Sequence, residues 1–443
     1  MTRYRLLRPP DAPFPASLRG IFSHMARAST APKRALRALS GKSVGTSLEL
    51  FAGGGGLALG LHEAKFRHLL VNELDTRACE TLRANLGTDV SFPSLNGTPP
   101  GRWPLAEADV ADLDLSLFGG RVDLLAAGAP CQPFSLGGLH RGDEDERNLF
   151  PHVFQVVRDV RPRAILLENV RGLTRAAFAP YFDYILDQLR APHLAARRSE
   201  DWVDHRDRLA MRLASKRRLD PAETYDVSFK LVNAADFGVA QTRQRIFIVA
   251  FRSDLGVDWE WPVETHSEDA LLRAKHEGMY WTEHYLEPRP DSEDPRITAR
   301  RVARWAETKA GRKPKRWRTL RDELKDLPEP VEHDSDPAIA NHIGIPGARL
   351  YHGHTGNPID RPAKTVKAGV HGVPGGEHVL VKTDGTHRYL TVRECARIQG
   401  FPDRYRFKGP RSEAMRQIGN AVPVTLARVM GTAIAKHLVD ADG

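Results

Sequence analysis

Between residues 47 and 251, short apolar runs alternate with stretches of helical periodicity, and this alternation leaves the chain few architectures. Residues 47–51, 68–72, 122–127, 164–167, 228–232 and 245–250 read as buried strands bounded by turn-forming residues. Residues 56–63, 76–86, 149–159 and 178–190 read as helices. Strands separated by helices cannot pair through tight hairpins and instead pair in parallel through crossovers. The expected fold is therefore α/β, with a doubly wound, mostly parallel sheet. Residues 192–222 are charged and helix-prone and read as an insertion at the sheet's edge. Regularity ends after Trp261-Pro262, where the chain becomes rich in Pro, Gly, His and Arg. Helical periodicity returns at 391–399 and 424–437, the last stretch apolar on one face and expected to pack back onto the sheet. The expected organisation is a basic extension (1–44), the first part of a large domain (45–253), a smaller irregular domain (254–390) and a returning segment (391–443).

In such a sheet, chemistry gathers where neighbouring strands end. The strand at 122–127 runs into Gly128-Ala129-Pro130-Cys131-Gln132-Pro133, whose glycine and prolines forbid a continuing strand or helix and force a shaped loop. A structural cysteine needs no such setting, whereas a nucleophile must stand clear of the sheet. The strand at 164–167 ends in Glu168-Asn169-Val170. A thiol and a carboxylate at two adjacent strand ends can act on one small group. Cys79 and Cys395, the other two cysteines, fall in helical stretches and read as packing residues. With three cysteines there is no disulfide framework or zinc-type spacing, and a reducing, cytoplasmic compartment is expected. His342, His352, His354, His371 and His378 match no common metal site, and no metal is expected.

A glycine-rich turn, Phe51-Ala52-Gly53-Gly54-Gly55-Gly56, joins the first strand to the first helix, where backbone can approach a ligand closely. It matches neither the dinucleotide fingerprint nor the phosphate-binding loop. The second strand ends at Glu73, twenty residues past Gly53, where a carboxylate accepts ribose hydroxyls. Asp109-Val110 precedes the third, where an Asp can take an adenine amino group. These features point to a nucleoside ligand without phosphates.

Charge adds a partner. Residues 1–44 carry nine Lys/Arg against Asp11 alone, and residues 296–321 carry eleven against Glu307 alone. Because the whole chain is +9, the rest of it is −9. Two basic segments on an acidic body imply a polyanion held at defined places. In the second segment Trp305 and Trp317 interleave with the cations, as on nucleic-acid surfaces. The N-terminal segment reads evenly as a basic arm on nucleic acid or a tail; it is Arg-rich and acid-poor like an organelle-type leader, but its scattered prolines argue against the amphipathic helix of one. No apolar run of membrane-spanning length occurs, and no membrane partner is expected.

Six motifs stand in order: Phe51 to Gly56; Pro130-Cys131-Gln132; Glu168-Asn169-Val170; Gln241-Thr242-Arg243-Gln244-Arg245; Arg361-Pro362-Ala363-Lys364-Thr365-Val366; and Gly419-Asn420-Ala421-Val422-Pro423. Over roughly residues 46 to 440 the chain resembles the DNA (cytosine-5) methyltransferases, especially those of bacterial restriction–modification systems. The departures are minor: Glu49 stands where the family usually has Asp, and 192–222 is longer than in compact members.

The resemblance implies a Rossmann-like fold that binds S-adenosylmethionine, and a target-recognition domain at 254–390. It implies that Cys131 adds to carbon 6 of a flipped cytosine, making carbon 5 nucleophilic. Glu168 would hold ring nitrogen 3 and the exocyclic amine, Arg245 oxygen 2, and Arg243 would brace Glu168 or a phosphate. Gln132 and Asn169 complete the catalytic set. Phe51, Gly53, Gly55, Gly56, Glu73, Leu74, Asp109, Val110, Pro130, Asn420 and Val422 would line the cofactor pocket. Ser135, Arg141, Arg312, Lys313, Lys315, Arg316, Arg318 and Thr365 would contact or support double-stranded DNA. A monomer is expected, with a cognate restriction endonuclease as an optional partner. The alternatives are a tRNA methyltransferase, whose Cys-Phe-Thr signature is absent after Glu168-Asn169-Val170, and a non-catalytic DNA-binding regulator, which would have lost Cys131, Glu168 or Arg245.

Overall fold

In the computed structural model the described residues are 43–92, 94, 98–129, 149–215, 219–289, 299–303, 313–332, 339–350, 352, 355–368 and 378–442. An eight-stranded sheet forms the centre. Its strands are β1 (Gly45–Leu50), β2 (Phe66–Glu73), β3 (Gly87–Asp89), β4 (Trp103–Glu107), β5 (Leu124–Ala127), β6 (Ala164–Val170), β7 (Tyr225–Asn233) and, beyond the two-residue β8 (Gln241–Thr242), β9 (Gln244–Arg252). The order is β3-β4-β2-β1-β5-β6-β9-β7. All pairings are parallel except those of β9, which runs antiparallel between β6 and β7. Apolar side chains fill the inner strands because helices cover both faces.

The strands and helices expected up to residue 252 are all present. β3 and β4 are additions that the sequence does not announce. β4 contains Pro104 and lies next to the sheet's margin, pairing with the short edge strand β3, where a missing N–H is tolerated.

Helices α1 (Gly56–Glu63), α2 (Thr76–Asn85), α3 (Phe150–Val160) and α4 (Ala179–Arg190) provide the crossovers. Asp75 caps α2 by accepting from the Ala78 N–H at 2.8 Å. Within 192–222 a further helix, α5 (Trp202–Ala214), packs on α4. There His205 accepts the Tyr184 hydroxyl at 2.9 Å while its other ring nitrogen donates to the Leu194 carbonyl at 2.8 Å.

Beyond β9 the elements are short. A two-residue pairing joins β10 (His266–Ser267) to β11 (Lys315–Arg316), flanked by α6 (Glu268–His276) and α7 (Met279–Glu283). A separate apolar cluster of Leu271, Ala274, Tyr280 and Trp281 holds this region. Helix α8 (Leu320–Leu324) begins with a capping box from Thr319 and Asp322. β12 (Asn357–Pro358), β14 (Val379–Val381) and β15 (His387–Tyr389) form a small sheet, and β13 (Ala363–Lys364) pairs with β8.

Three helices complete the chain: α9 (Val392–Ile398), α10 (Arg411–Asn420) and α11 (Val424–Asp440). Although apolar, α11 is a core helix and lies on α1. The approach is close because Gly60 faces it: a Cβ there would sit 2.4 Å from Ala427 Cβ and 2.7 Å from the Val424 carbonyl oxygen. α10 is mostly polar in sequence, so its periodicity is faint; only Ala414, Met415, Gln417, Ile418 and Gly419 are buried.

Candidate active site

The carboxyl ends of β1, β2, β4, β5 and β6 share one edge of the sheet. β1 runs into Phe51, whose φ of 56° is a left-handed conformation uncommon for a non-glycine residue. The glycines after it answer to different needs. A Cβ on Gly55 would lie 2.5 Å from the Tyr405 hydroxyl oxygen, and one on Gly56 2.3 Å from the Val422 carbonyl oxygen. That side of the turn is pressed against protein, and Tyr405 donates its hydroxyl to the Gly54 carbonyl at 2.8 Å. Gly53, at φ 54°, has nothing within 4 Å of where a Cβ would stand.

Glu73 is clamped under this turn. Its carboxylate accepts from the N–H of Gly53 at 2.6 Å, of Leu74 at 2.9 Å and of Asp75 at 2.8 Å. Three of about four acceptor positions on a carboxylate are thus taken by backbone. Leu74 beside it is 61% exposed, unusual for an apolar side chain at a strand end. Asn72 donates to the Ala108 carbonyl at 2.8 Å and so ties β2 to the next strand end. There Asp109 caps a single helical turn by accepting from the Ala111 N–H at 2.9 Å, with Val110 buried beneath. Glu49, wholly buried on β1, is pushed well above the ordinary carboxylate range by burial and by the neighbouring charge of Glu73.

At the end of β6, Glu168 is 7% exposed. Burial pushes its carboxyl above the ordinary range, opposed by the charges of Arg245 and Arg243. Antiparallel pairing sets Arg245 opposite Val170, and its Nε lies 2.9 Å from Glu168 Oε1. The contact is close but not aligned as a hydrogen bond, so Oε1 has no directed donor among the described residues. Gly128, on the segment leading to Cys131, faces the same carboxylate: a Cβ there would be 3.9 Å from Oε2. Asn169 accepts from the Val170 N–H at 2.7 Å and directs its amide toward the Ala129 carbonyl at 3.4 Å.

Arg243 acts on Glu168 through its charge and is turned into the protein interior. It is fully buried, and its guanidinium donates to the carbonyls of Val366 at 3.0 Å and Gly419 at 2.7 Å, so it reaches no phosphate. Around it the buried amides of Gln241 and Gln399 pair at 2.8 Å. Gln241 also accepts from the Val366 N–H at 2.8 Å, and Gln399 donates to the carbonyls of Ile418 at 2.6 Å and Ala421 at 3.0 Å. This network joins three motifs distant in sequence. Beyond them stand exposed Asn420 and buried Val422. Gln399 and Tyr405 lie outside every motif, and only tertiary contact reveals them.

Pro130, Cys131, Gln132, Ser135, Arg141 and Arg312 lie outside the described residues. Among the expected DNA contacts, Arg316 is a correction. Its guanidinium is held 2.6 Å from Asp322 and 2.8 Å from Glu283 and lies over the Tyr280 ring at 5.1 Å, a cross-link rather than a free cation. Arg318 is 38% exposed and pairs with Glu323 at 2.9 Å. Lys315 is exposed on β11, and Lys313 is described but engaged. Thr365 donates to the Thr242 carbonyl at 3.1 Å, stitching β13 to β8. His342 is satisfied by the Thr391 hydroxyl and the Pro328 carbonyl, both at 2.9 Å. Among the described residues no three His, Cys, Asp or Glu converge as a metal site would require.

The C-5 cytosine-specific DNA methylase model matches residues 45–192 and 215–436. The type II methyltransferase M.Eco47II of Escherichia coli is 33% identical over 405 residues, covering 90% of this chain and 80% of that protein. M.NgoMIV of Neisseria gonorrhoeae is 30% identical over 394 residues, covering 89% and 98%. A DNMT2 structure from Spodoptera frugiperda superposes with a TM-score of 0.51 at 16% identity, covering 88% of this chain and 99% of that one, which shows a common fold. With most of its length matched by that model and such relatives along it, the chain belongs to the C-5 cytosine-specific DNA methylase family and is a DNA (cytosine-5) methyltransferase.

Proposed function

We propose that the protein transfers a methyl group from S-adenosylmethionine to carbon 5 of a flipped cytosine in a specific double-stranded DNA sequence. We further propose that it serves as the modification component of a restriction–modification system. The observation that carries the reading is the buried Glu168–Arg245 pair at a strand end, facing across Gly128 the segment that leads to Cys131.

The crevice at β1, β2 and β4 fits the cofactor. Gly53 leaves open space, Leu74 offers an exposed apolar surface, and the left-handed Phe51 has a conformation that surrounding contacts must enforce. Phe51 and Leu74 would flank the adenine, Glu73 would use its remaining acceptor position on the ribose, and Asp109-Val110 would meet the adenine edge. Gly55, Gly56, Pro130, Asn420 and Val422 would close the pocket. When bound, the cofactor supplies an electrophilic methyl group.

The residues of the chain then have distinct tasks. Cys131, as thiolate, adds to carbon 6 of the cytosine and raises electron density at carbon 5. Glu168, its carboxyl pushed by burial above the ordinary range, would share a proton with ring nitrogen 3 as negative charge builds there and accept from the exocyclic amine. Arg245 donates to oxygen 2. Once carbon 5 carries the methyl group, a base, water or a side chain, takes the carbon 5 proton, the 5,6 double bond re-forms and Cys131 leaves as thiolate. Asn169 positions the segment that carries Cys131 and Gln132. Residues 254–390 read the DNA, with Lys313, Lys315 and Arg318 near its phosphates and Thr365 bracing the junction; Ser135 and Arg141 are assigned to the loop over the flipped base.

The protein would act as a cytoplasmic monomer without a metal, and a cognate endonuclease is an optional partner. Labelled S-adenosylmethionine and mixed-sequence duplex DNA provide the test. Label should appear on cytosine carbon 5, and its absence from every duplex would sink the reading. DNA carrying 5-fluorocytosine should trap a covalent complex that Cys131→Ala abolishes. Sequencing methylated cytosines in DNA from expressing cells gives the recognition site.

A further inference from the structure

Helix α7 ends in an unusual way. The N–H of Tyr285 returns to the Thr282 carbonyl at 3.1 Å and that of Leu286 to the Trp281 carbonyl at 2.9 Å. This paired closure requires a left-handed residue just past the helix, a position glycine usually takes. Here it is Tyr285, at φ 56°. Its neighbours are all anchored. Glu283 binds Arg316 at 2.8 Å, the buried His284 ring stands 3.0 Å from Asp322, and Leu286 packs on the Tyr280–Trp281 cluster. Tyr285 projects, at 96% exposure, and among the described residues its side chain has no hydrogen-bond or ring partner. A strained backbone and an exposed aromatic ring are both unfavourable in the isolated protein, and among the described residues no contact compensates them.

The surroundings identify what would compensate them. Glu283 and His284 are cross-linked through Arg316 and Asp322 to the basic strand β11, which also carries Lys315, with Arg318 two residues beyond. His266, paired with Lys315 across β10 and β11, is pushed down to about 4 by burial and by the charges of Lys315, Arg318 and Arg316, so the field at His266 is positive. An aromatic side chain tied to a strand that presents an exposed cation, Lys315, is an arrangement that meets nucleic acid, where rings stack on bases or wedge at a base step. We propose that Tyr285 is a DNA-contacting residue whose ring, held rigidly by the α7 terminus, packs against the duplex and helps to position it. This rests on the reading of duplex DNA as substrate.

The test compares Tyr285→Gly and Tyr285→Phe with the full-length wild type, using mixed-sequence unmethylated DNA. Glycine relieves the left-handed strain, so Tyr285→Gly should unfold at the same or higher urea concentration. Its KM for DNA should nevertheless rise about 5- to 150-fold, the range that loss of one aromatic contact gives. Its KM for the methyl donor, and kcat at saturating DNA, should stay within about twofold, as expected for a group that contacts DNA without touching the reacting atoms. Tyr285→Phe should keep the wild-type KM for DNA. An unchanged KM in Tyr285→Gly, or an equal loss in Tyr285→Phe, overturns the ring contact. A wild type that methylates no duplex would instead refute the underlying substrate reading.

Discussion

Replacing Arg243 with methionine isolates the buried connection between the three motifs. Methionine keeps most of the volume and removes both donors. The carbonyls of Val366 and Gly419 then lose partners now at 3.0 and 2.7 Å. Water cannot readily take their place, because the chain is tight there: a Cβ on Gly419 would lie 2.2 Å from the Ala368 nitrogen and 2.4 Å from the Lys367 carbonyl carbon. Each buried acceptor left unsatisfied costs about 1–3 kcal/mol. Part of that is offset, since the guanidinium is itself wholly buried and its Nε has no partner among the described residues. The net destabilisation should be about 2–4 kcal/mol, read as a lower urea midpoint at unchanged slope. Arg243→Lys, whose single ammonium cannot span both carbonyls, should fall between wild type and methionine. Because the Arg243 charge also holds Glu168 down, Arg243→Met should move the Glu168-dependent limb of the pH–rate profile to higher pH. A loss under about 1 kcal/mol, or a lysine variant equal to wild type, would refute the claim that these two carbonyls need a fixed pair of donors.

Other predictions concern separate parts of the molecule. Gly60→Val should abolish close packing of α1 on α11 and cost at least about 3 kcal/mol by urea unfolding, since even a Cβ would overlap Ala427 and the Val424 carbonyl. His68 is buried, takes the Ser47 hydroxyl at 2.9 Å, donates to the Ala58 carbonyl at 3.0 Å, and is pushed down to about 3 by burial. Its folded pKa lies below the unfolded value, so its contribution is intact above pH ~6.5 and declines toward pH 3 at about 1.4 kcal/mol per pH unit. His68→Gln should flatten the fall in urea midpoint between pH 7 and 4, at whatever cost in absolute stability. Arg245→Met leaves Glu168 buried without its contact cation, so the Glu168 pKa should rise further in a pH–rate profile while kcat falls at least tenfold.

The strand–helix alternation made the core of the sheet legible, because a two-sided parallel sheet demands continuous apolar runs that no other arrangement explains. β4 escaped because Pro104 interrupts such a run, and α10 because its polar sequence buries only a narrow stripe. The candidate site was legible as residue types at strand ends: Phe51, Glu168 and Arg245 each stand where a motif and a strand terminus coincide, and Glu73 closes the second strand. How those groups spend their hydrogen bonds was not. Glu73 gives three acceptor positions to backbone, and Arg243, read as a brace or phosphate ligand, is consumed by two carbonyls.

Sequence alone determined the class of fold and the family, and it nominated the reacting groups, because these depend on local periodicity and on side-chain chemistry in order along the chain. Tertiary structure decided which charges are neutralised and which are left for a ligand. That Arg316 is locked to Asp322 and Glu283, that burial raises the pKa of Glu168 against the charges of Arg245 and Arg243, and that Tyr285 stands out on a strained turn all depend on distances between residues far apart in the chain. A charge or a ring has the same chemistry wherever it occurs in a sequence; only its neighbours in space, through desolvation and pairing, set what it is free to do.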